Sequence, residues 1–268
     1  MLTHRPFFII YLRAPSFKHI FAPMEDSTTI IGIRALIEAI NSGKDIDKIY
    51  IQKDLSGNLF KELQTAISRK GFNVSYVPIE KINKLSQGNH QGVVAKISPI
   101  KFKVLEETVE EILNDPNKLP LFLLLDQITD ARNFGAIIRT AECTGVHAII
   151  IQSKGGAPVN ADTVKTSAGA VFNIPIIKVN HIKDAIYYLQ GSGVKIVAAT
   201  EKTEDIFYEV DFKGPTAVVM GSEDRGINPS ILKIVDERVK LPMFGSIASL
   251  NVSVACGAFL YEIVRQRS

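Results

Sequence analysis

Leu119 to Ile151 reads LPLFLLLDQITDARNFGAIIRTAECTGVHAIII, and how this stretch divides decides the fold. It opens on a near-continuous apolar run, 119–127, as expected of a strand buried on both faces of a parallel sheet. A polar loop follows Asp126. A helical pattern then runs from Asn133 to a stop at Gly145, and a second apolar run, HAIIIQ, fills 147–152. Strand, helix and strand in that order make one parallel crossover. Similar runs at 194–200 (VKIVAAT) and 216–222 (TAVVMGS) extend the series. Residues 119–268 are therefore expected to be an α/β domain with a parallel sheet covered on both faces, its site at the strand C-termini.

Working back toward the N-terminus, residues 30–42 read as a helix with Ile33, Leu36, Ile37 and Ile40 on one face and Gly43 as its stop. KIYIQ (48–52), NVSYV (73–77) and VVAKI (93–97) read as strands, with helical segments at 58–71 and 79–86. A small α/β domain over 24–98 results, followed by a connector at 99–118 that mixes a charged helix with a turn. The apolar stretch Phe7 to Leu12 is short for a secretory leader, so 1–23 is expected to be a weakly ordered extension or the product of an upstream start-site choice, with Met24 opening a more ordinary beginning.

Composition narrows the class of protein. Of 268 residues, 46% are hydrophobic and 22% charged, and no apolar run approaches the roughly 20 residues of a membrane helix. Cys143 and Cys256 sit in apolar helical contexts without a CxxC partner, which favours reduced core thiols and a cytoplasmic protein. None of the five histidines has metal-ligand spacing, so no metal site is expected. A net charge of +3 is compatible with a nucleic-acid partner without demanding one.

Three loops concentrate the polar chemistry. In NFGAIIRTAECTG, Asn133 suits a helix N-cap, and Arg139 follows on an otherwise apolar helix, where it is expected to share the face nearest the loop. The bland alternative is that Asn133 only caps and Arg139 only pairs with a surface acid. In AVVMGSEDRGINPSIL, Gly221 and Gly226 bracket Glu223 after a buried strand, which brings backbone close to a ligand. It is not a dinucleotide GxGxxG and no Walker lysine follows, so pyrophosphate binding is disfavoured. In KLPMFGSIASLNVSVACGAFLYEIV, residues 252, 255, 256, 259, 260 and 263 form one helical stripe, with the N-cap expected at Ser249. A capped amphipathic helix explains Ser249. It does not explain why Asn251 and Ser253 are also small and polar.

Taken in order, the three loops resemble the motifs of the SpoU (TrmH-like) RNA ribose 2′-O-methyltransferases of the SPOUT superfamily. The first motif corresponds to Asn133, Gly135, Arg139 and Thr140, the second to Gly221, Glu223 and Gly226, and the third to Leu241–Ala255. The likeness extends to TSAGA (166–170), while GIRALIEAI and HQGVVA look like the small, ribosomal-protein-like substrate-binding domain of the 23S rRNA guanosine branch.

The resemblance implies a SPOUT-type sheet ending in a deep trefoil knot. The small residues Ala255, Gly257 and Ala258 would then lie where backbone crosses backbone. It implies S-adenosylmethionine held by Gly221, Leu241 and Leu250, with Met243 and Thr200 as neighbours. It implies that Arg139 activates the 2′-hydroxyl, oriented together with the target by Asn133, Glu223, Ser249 and Asn251. A guanidinium is a poor base, so Arg139 would act with an RNA phosphate or by positioning. The implied partners are structured RNA, with 23S rRNA foremost, and a second copy in a homodimer, with no membrane. Arg34, Lys53, Arg69, Lys70, Lys81, Lys84 and Lys96 are candidate phosphate contacts or solvated surface charges. Two other readings stand beside this one: a tRNA ribose methyltransferase of the same family, and a non-catalytic RNA-binding ribosome-assembly factor.

Overall fold

A computed structural model describes residues 29–68, 72–246 and 249–268. The expected extension at 1–23, and Arg69 and Lys70, lie outside the described residues. The chain begins with β1 (Thr29–Ile31), α1 (Ile33–Asn41), β2 (Ile46–Gln52), α2 (Asn58–Ser68), β3 (Val74–Val77), α3 (Ile79–Leu85) and β4 (Val93–Ile97). These four strands form one sheet in the order β1-β4-β2-β3. The stripe Ile33, Leu36, Ile37 and Ile40 of α1 is buried with Phe60 and Leu63 of α2 on one face. Ile82 of α3 covers Val77 and Val94 on the other.

The remainder runs α4 (Leu105–Leu113), β5 (Leu121–Asp126), α5 (Ala131–Cys143), β6 (Ala148–Gln152), α6 (Ala161–Thr166), β7 (Ile176–Val179), α7 (Ile182–Gly191), β8 (Lys195–Ala199), β9 (Thr216–Gly221), α8 (Pro229–Leu232), β10 (Glu237–Val239) and α9 (Val252–Arg267). Its six strands lie in the order β10-β8-β9-β5-β6-β7, every pair parallel. The α/β class and parallel sheet expected from the apolar runs are what the chain adopts. The reason is visible in β5: Leu121, Leu123 and Leu125 pack toward α5 and α9, while Phe122 and Leu124 pack toward α4 and α7. A strand buried on both faces needs no polar alternation.

Three strands escape the sequence reading. β1 and β10 have three residues each and β7 has four, too few to display a period. The thiols also divide. Cys256 is buried and desolvation pushes it up to about 12, whereas Cys143 is exposed. The buried positions of α5, Phe134, Ile137, Ile138 and Ala141, define a stripe that leaves Cys143 facing outward. At the far end of α9, Arg267 donates to the carbonyls of Leu119, Pro120, Phe212 and Gly214 at 2.7–3.3 Å. Those four bonds satisfy carbonyls just before β5 and β9 and tie α9 across the sheet.

The two sheets are joined by an ion pair. Between Ile46 and Lys48 the register of β2 against β4 shifts by one, making Asp47 the extra residue of a bulge. Its carboxylate lies 3.5 Å from Lys178 Nζ on β7, which sits 3.9 Å from the centre of the Phe102 ring. Burial pushes Asp47 up and Lys178 down, and each partner's charge opposes the shift. Removing one member leaves the other desolvated. Asp47→Ala is expected to lower stability by about 2–3 kcal/mol, and Asp47→Ala/Lys178→Met to recover most of that loss. Equilibrium urea unfolding of the two variants checks the prediction.

Candidate active site

The site gathers at the C-terminal ends of β5, β8 and β9. β5 ends on Asp126, buried beside Gly221 in the register. Asp126 Oδ2 accepts from the backbone N–H of Asn228 at 2.7 Å, and desolvation pushes the carboxyl up while that bond opposes it. This clamps the far end of the loop leaving β9. Ser222 and Gly226 form a bridge inside the loop, and Gly226 has φ 66°, so the chain folds back tightly with Glu223 at the bend. Gly221 is required for another reason. A Cβ there would lie 2.2 Å from the Gly226 carbonyl carbon and 2.3 Å from the Ile227 nitrogen. Backbone passes over backbone at this point.

Glu223 Oε1 then collects donors from both other motifs. Asn133 Nδ2 donates to it at 3.1 Å, Asn251 Nδ2 at 2.6 Å and the Val252 backbone N–H at 3.2 Å. Asn251 Nδ2 also donates to Asn133 Oδ1 at 3.1 Å, which closes a triangle of side chains spread over 118 residues of sequence. An ionised carboxylate offers only acceptors, and two amides supply donors, so every bond has the right polarity.

Both expected caps shift by a few residues. The N-cap of α5 is Asp130, whose Oδ1 accepts from Arg132 N and Asn133 N, so Asn133 lies in the first turn with its amide free to reach Glu223. The N-cap of α9 is Asn251, whose Oδ1 accepts from Ser253 N, and Ser249 stands two residues outside. Arg139 does not join the triangle. Six helical residues rotate it about 120° away from Asn133, and it is exposed, with no hydrogen bond or ion pair among the described residues. Nor is Gly257 squeezed by a crossing chain: a Cβ there would stand 3.7 Å from Thr140 Cγ2, ordinary contact, and Ala258 is exposed. The close approach on α5 is instead at Gly135, where a Cβ would meet Thr166 Cβ at 2.7 Å and Thr163 O at 2.9 Å. The TSAGA segment thus seats α6 on α5.

Beside the triangle lies a cavity of about 390 Å³. Thr200, Gly221, Leu241, Met243 and Leu250 all line it, as do Ser249 and Glu223. Sequence reasoning did not single out Glu201, Lys202 and Arg225, which line it too, nor the roles of Asp126 and Asp130. An acid ending an all-apolar strand and an Asx residue just before a helix were the signals available for those two aspartates.

A parallel sheet with a backbone-floored cavity and an Asn–Glu–Asn cluster at its C-terminal edge defines a methylase domain: residues 120–261 match the SpoU rRNA Methylase family, and the chain belongs to it. Residues 29–103 match the family described as RNA 2′-O ribose methyltransferase substrate binding. The chain is 33% identical over 247 residues to the 23S rRNA (guanosine-2′-O-)-methyltransferase RlmB of Ralstonia nicotianae, covering 91% of this chain and 98% of that protein. To the enzyme of the same name from Pseudomonas aeruginosa it is 40% identical over 187 residues, 70% of this chain and 75% of the other. The AdoMet-bound rRNA methyltransferase from Sinorhizobium meliloti superposes with a TM-score of 0.57 at 25% identity, covering 89% of this chain and 87% of that one.

The two loop glycines differ in what they tolerate. Gly221→Ala drives a methyl into backbone and is expected to destabilise by about 3 kcal/mol or more, a fall of roughly 6–12 °C in melting temperature. Gly226→Ala meets nothing nearer than Glu201 Oε1 at 3.9 Å and carries only the left-handed backbone strain, about 1–2 kcal/mol. Thermal melts of the two variants side by side check the order.

Proposed function

We propose that this protein methylates the 2′-hydroxyl of a guanosine in 23S rRNA, using S-adenosylmethionine, as a homodimer in the cytoplasm. The observation that carries the reading is the meeting of Asn133, Glu223 and Asn251 at the edge of the cavity lined by Thr200, Gly221, Leu241, Met243 and Leu250. The guanosine and 23S rRNA rest on the names of the two relatives. We further propose a division of labour, with residues 29–103 gripping RNA and the parallel sheet holding the reaction.

The cavity suits the proposed cofactor. Its floor at Gly221 is bare backbone with no room for a side chain, so main-chain groups face whatever lies there. Leu241, Met243, Leu250 and Phe259 offer apolar surface for a purine, and Glu201, Lys202 and Arg225 offer charges for an amino acid moiety. When bound, the cofactor supplies an electrophilic methyl group on a sulfonium and so needs no metal. The chain's own part is placement and proton handling. Asn133 and Asn251, each oriented by Glu223, fix the N-termini of α5 and α9 around the target ribose. Arg139, exposed and unpaired among the described residues, is available to an RNA phosphate and to the 2′-oxygen as its proton departs.

The second copy would dock on α9. Val254, Ala258 and Tyr261 share one face by their i, i+4, i+7 spacing, and Val254 and Tyr261 expose 57% and 59% of their surface. Ala258 is small there to admit a neighbouring helix. A knotted C-terminus is supported by α9 packing on α5 while the segment leading into it lines the cavity.

Arg139→Ala is expected to leave cofactor affinity within a few-fold, by calorimetry, while methyl transfer to unmodified 23S rRNA transcript falls at least about a hundredfold. Near-normal turnover would remove Arg139 from the mechanism. Mapping 2′-O-methyl groups in ribosomal and transfer RNA from cells with and without the protein separates a ribosomal target from a transfer-RNA target. No change in either would favour a non-catalytic assembly factor.

A further inference from the structure

A second cleft, of about 350 Å³, lies between the two sheets. One wall is the α3-facing side of the first sheet, with Lys48 and Tyr50 on β2 and Lys96 on β4. The other is the start of α6 at Asn160 and Ala161. Lys48 and Lys96 are directly opposed across the antiparallel pair. Like charges in that position destabilise a sheet, so the arrangement works against the fold. Tyr50 is half-buried, with Lys48 Nζ 5.4 Å and Lys81 Nζ 6.0 Å from its ring centre. None of the three lysines forms a salt bridge among the described residues, although Lys96 donates to Thr29 Oγ1 at 2.6 Å. The acid in the cleft, Asp47, is already engaged by Lys178. The cleft therefore holds an aromatic face within an excess of positive charge.

Its position relates it to the reaction. The helix that forms one wall, α6, packs on α5 at Gly135, two residues beyond Asn133. The same short helix thus lines the cleft at its start and is seated at its end on α5, the helix that carries Asn133.

We propose that this interdomain cleft binds a nucleotide of the substrate RNA close to the one being methylated, its base on the face of Tyr50 and its phosphates among Lys48, Lys81 and Lys96. This rests on the reading of the protein as an RNA methyltransferase and adds a specific subsite to it. Stacking on one aromatic ring with flanking cations is sequence-tolerant. The subsite therefore holds the strand in register and leaves base choice to other contacts.

The test uses the full-length protein and unmodified 23S rRNA transcript. Tyr50→Ala is expected to raise KM for the transcript about tenfold, with the loss in KM rather than in kcat, and Tyr50→Phe to restore it, because the ring and not the hydroxyl does the stacking. Lys48→Ala/Lys96→Ala is expected to flatten the slope of log affinity against log salt by roughly 1.5 without lowering the melting temperature, since it relieves a cross-strand repulsion. A purely structural role for these side chains would lower melting temperature and leave the salt slope alone. If the wild-type protein methylates the transcript while Tyr50→Ala stays within twofold of its KM and the lysine variant keeps its salt slope, the subsite is overturned and the methyltransferase reading stands. If the wild type transfers no methyl group to ribosomal or transfer RNA, that reading fails and takes the subsite with it.

Discussion

One carboxylate oxygen organises the site. Glu223 Oε1 takes two side-chain amides and a backbone N–H from the start of α9, drawn from segments far apart in sequence. Without that acceptor the two asparagines would keep only their own bond, Asn251 Nδ2 to Asn133 Oδ1, and the β9 loop would lose its tie to the N-termini of α5 and α9. The carboxylate can reach both because the loop carrying it folds back at once after β9, bridged from Ser222 to Gly226 and clamped at Asn228 by Asp126.

Around that hub the fold is set by places where a side chain cannot exist. Gly221 admits no Cβ because backbone passes 2.2 Å from where it would stand, and Gly135 admits none because α6 lies against α5. Both positions stand within two residues of a member of the Asn–Glu–Asn triangle. Close packing at these points lets three loops share a small volume without large side chains intervening.

Much of this was legible in the sequence, for reasons particular residues make clear. LFLLLD had to be a strand buried on both faces, and the glycine-bracketed Glu223 had to be a tight turn after one. Which polar residue caps each helix was not legible. Asp130 and Asn133, or Ser249 and Asn251, offer equivalent chemistry two or three residues apart, and only the tertiary demand of Glu223 decides between them. Arg139, expected on the helix face nearest the loop, is turned about 120° from Asn133 by its six-residue spacing and is exposed. Of the small α9 residues expected at a backbone crossing, Gly257 stands only at ordinary contact distance from Thr140 and Ala258 is exposed. The short strands β1, β7 and β10 carry too few residues for any period to register and depend on their neighbours to form.

The span between Asn133 and Asn251 also bears on synthesis. The last strand of the parallel sheet ends at Val239, so a nascent chain can have every strand in place and still lack Asn251. Contacts this distant in sequence form late in folding. A fragment ending between Val239 and Asn251 would keep all six strands of that sheet and lack one corner of the triangle. Incomplete chains released early would accordingly be silent, and would not act on RNA with a half-built site.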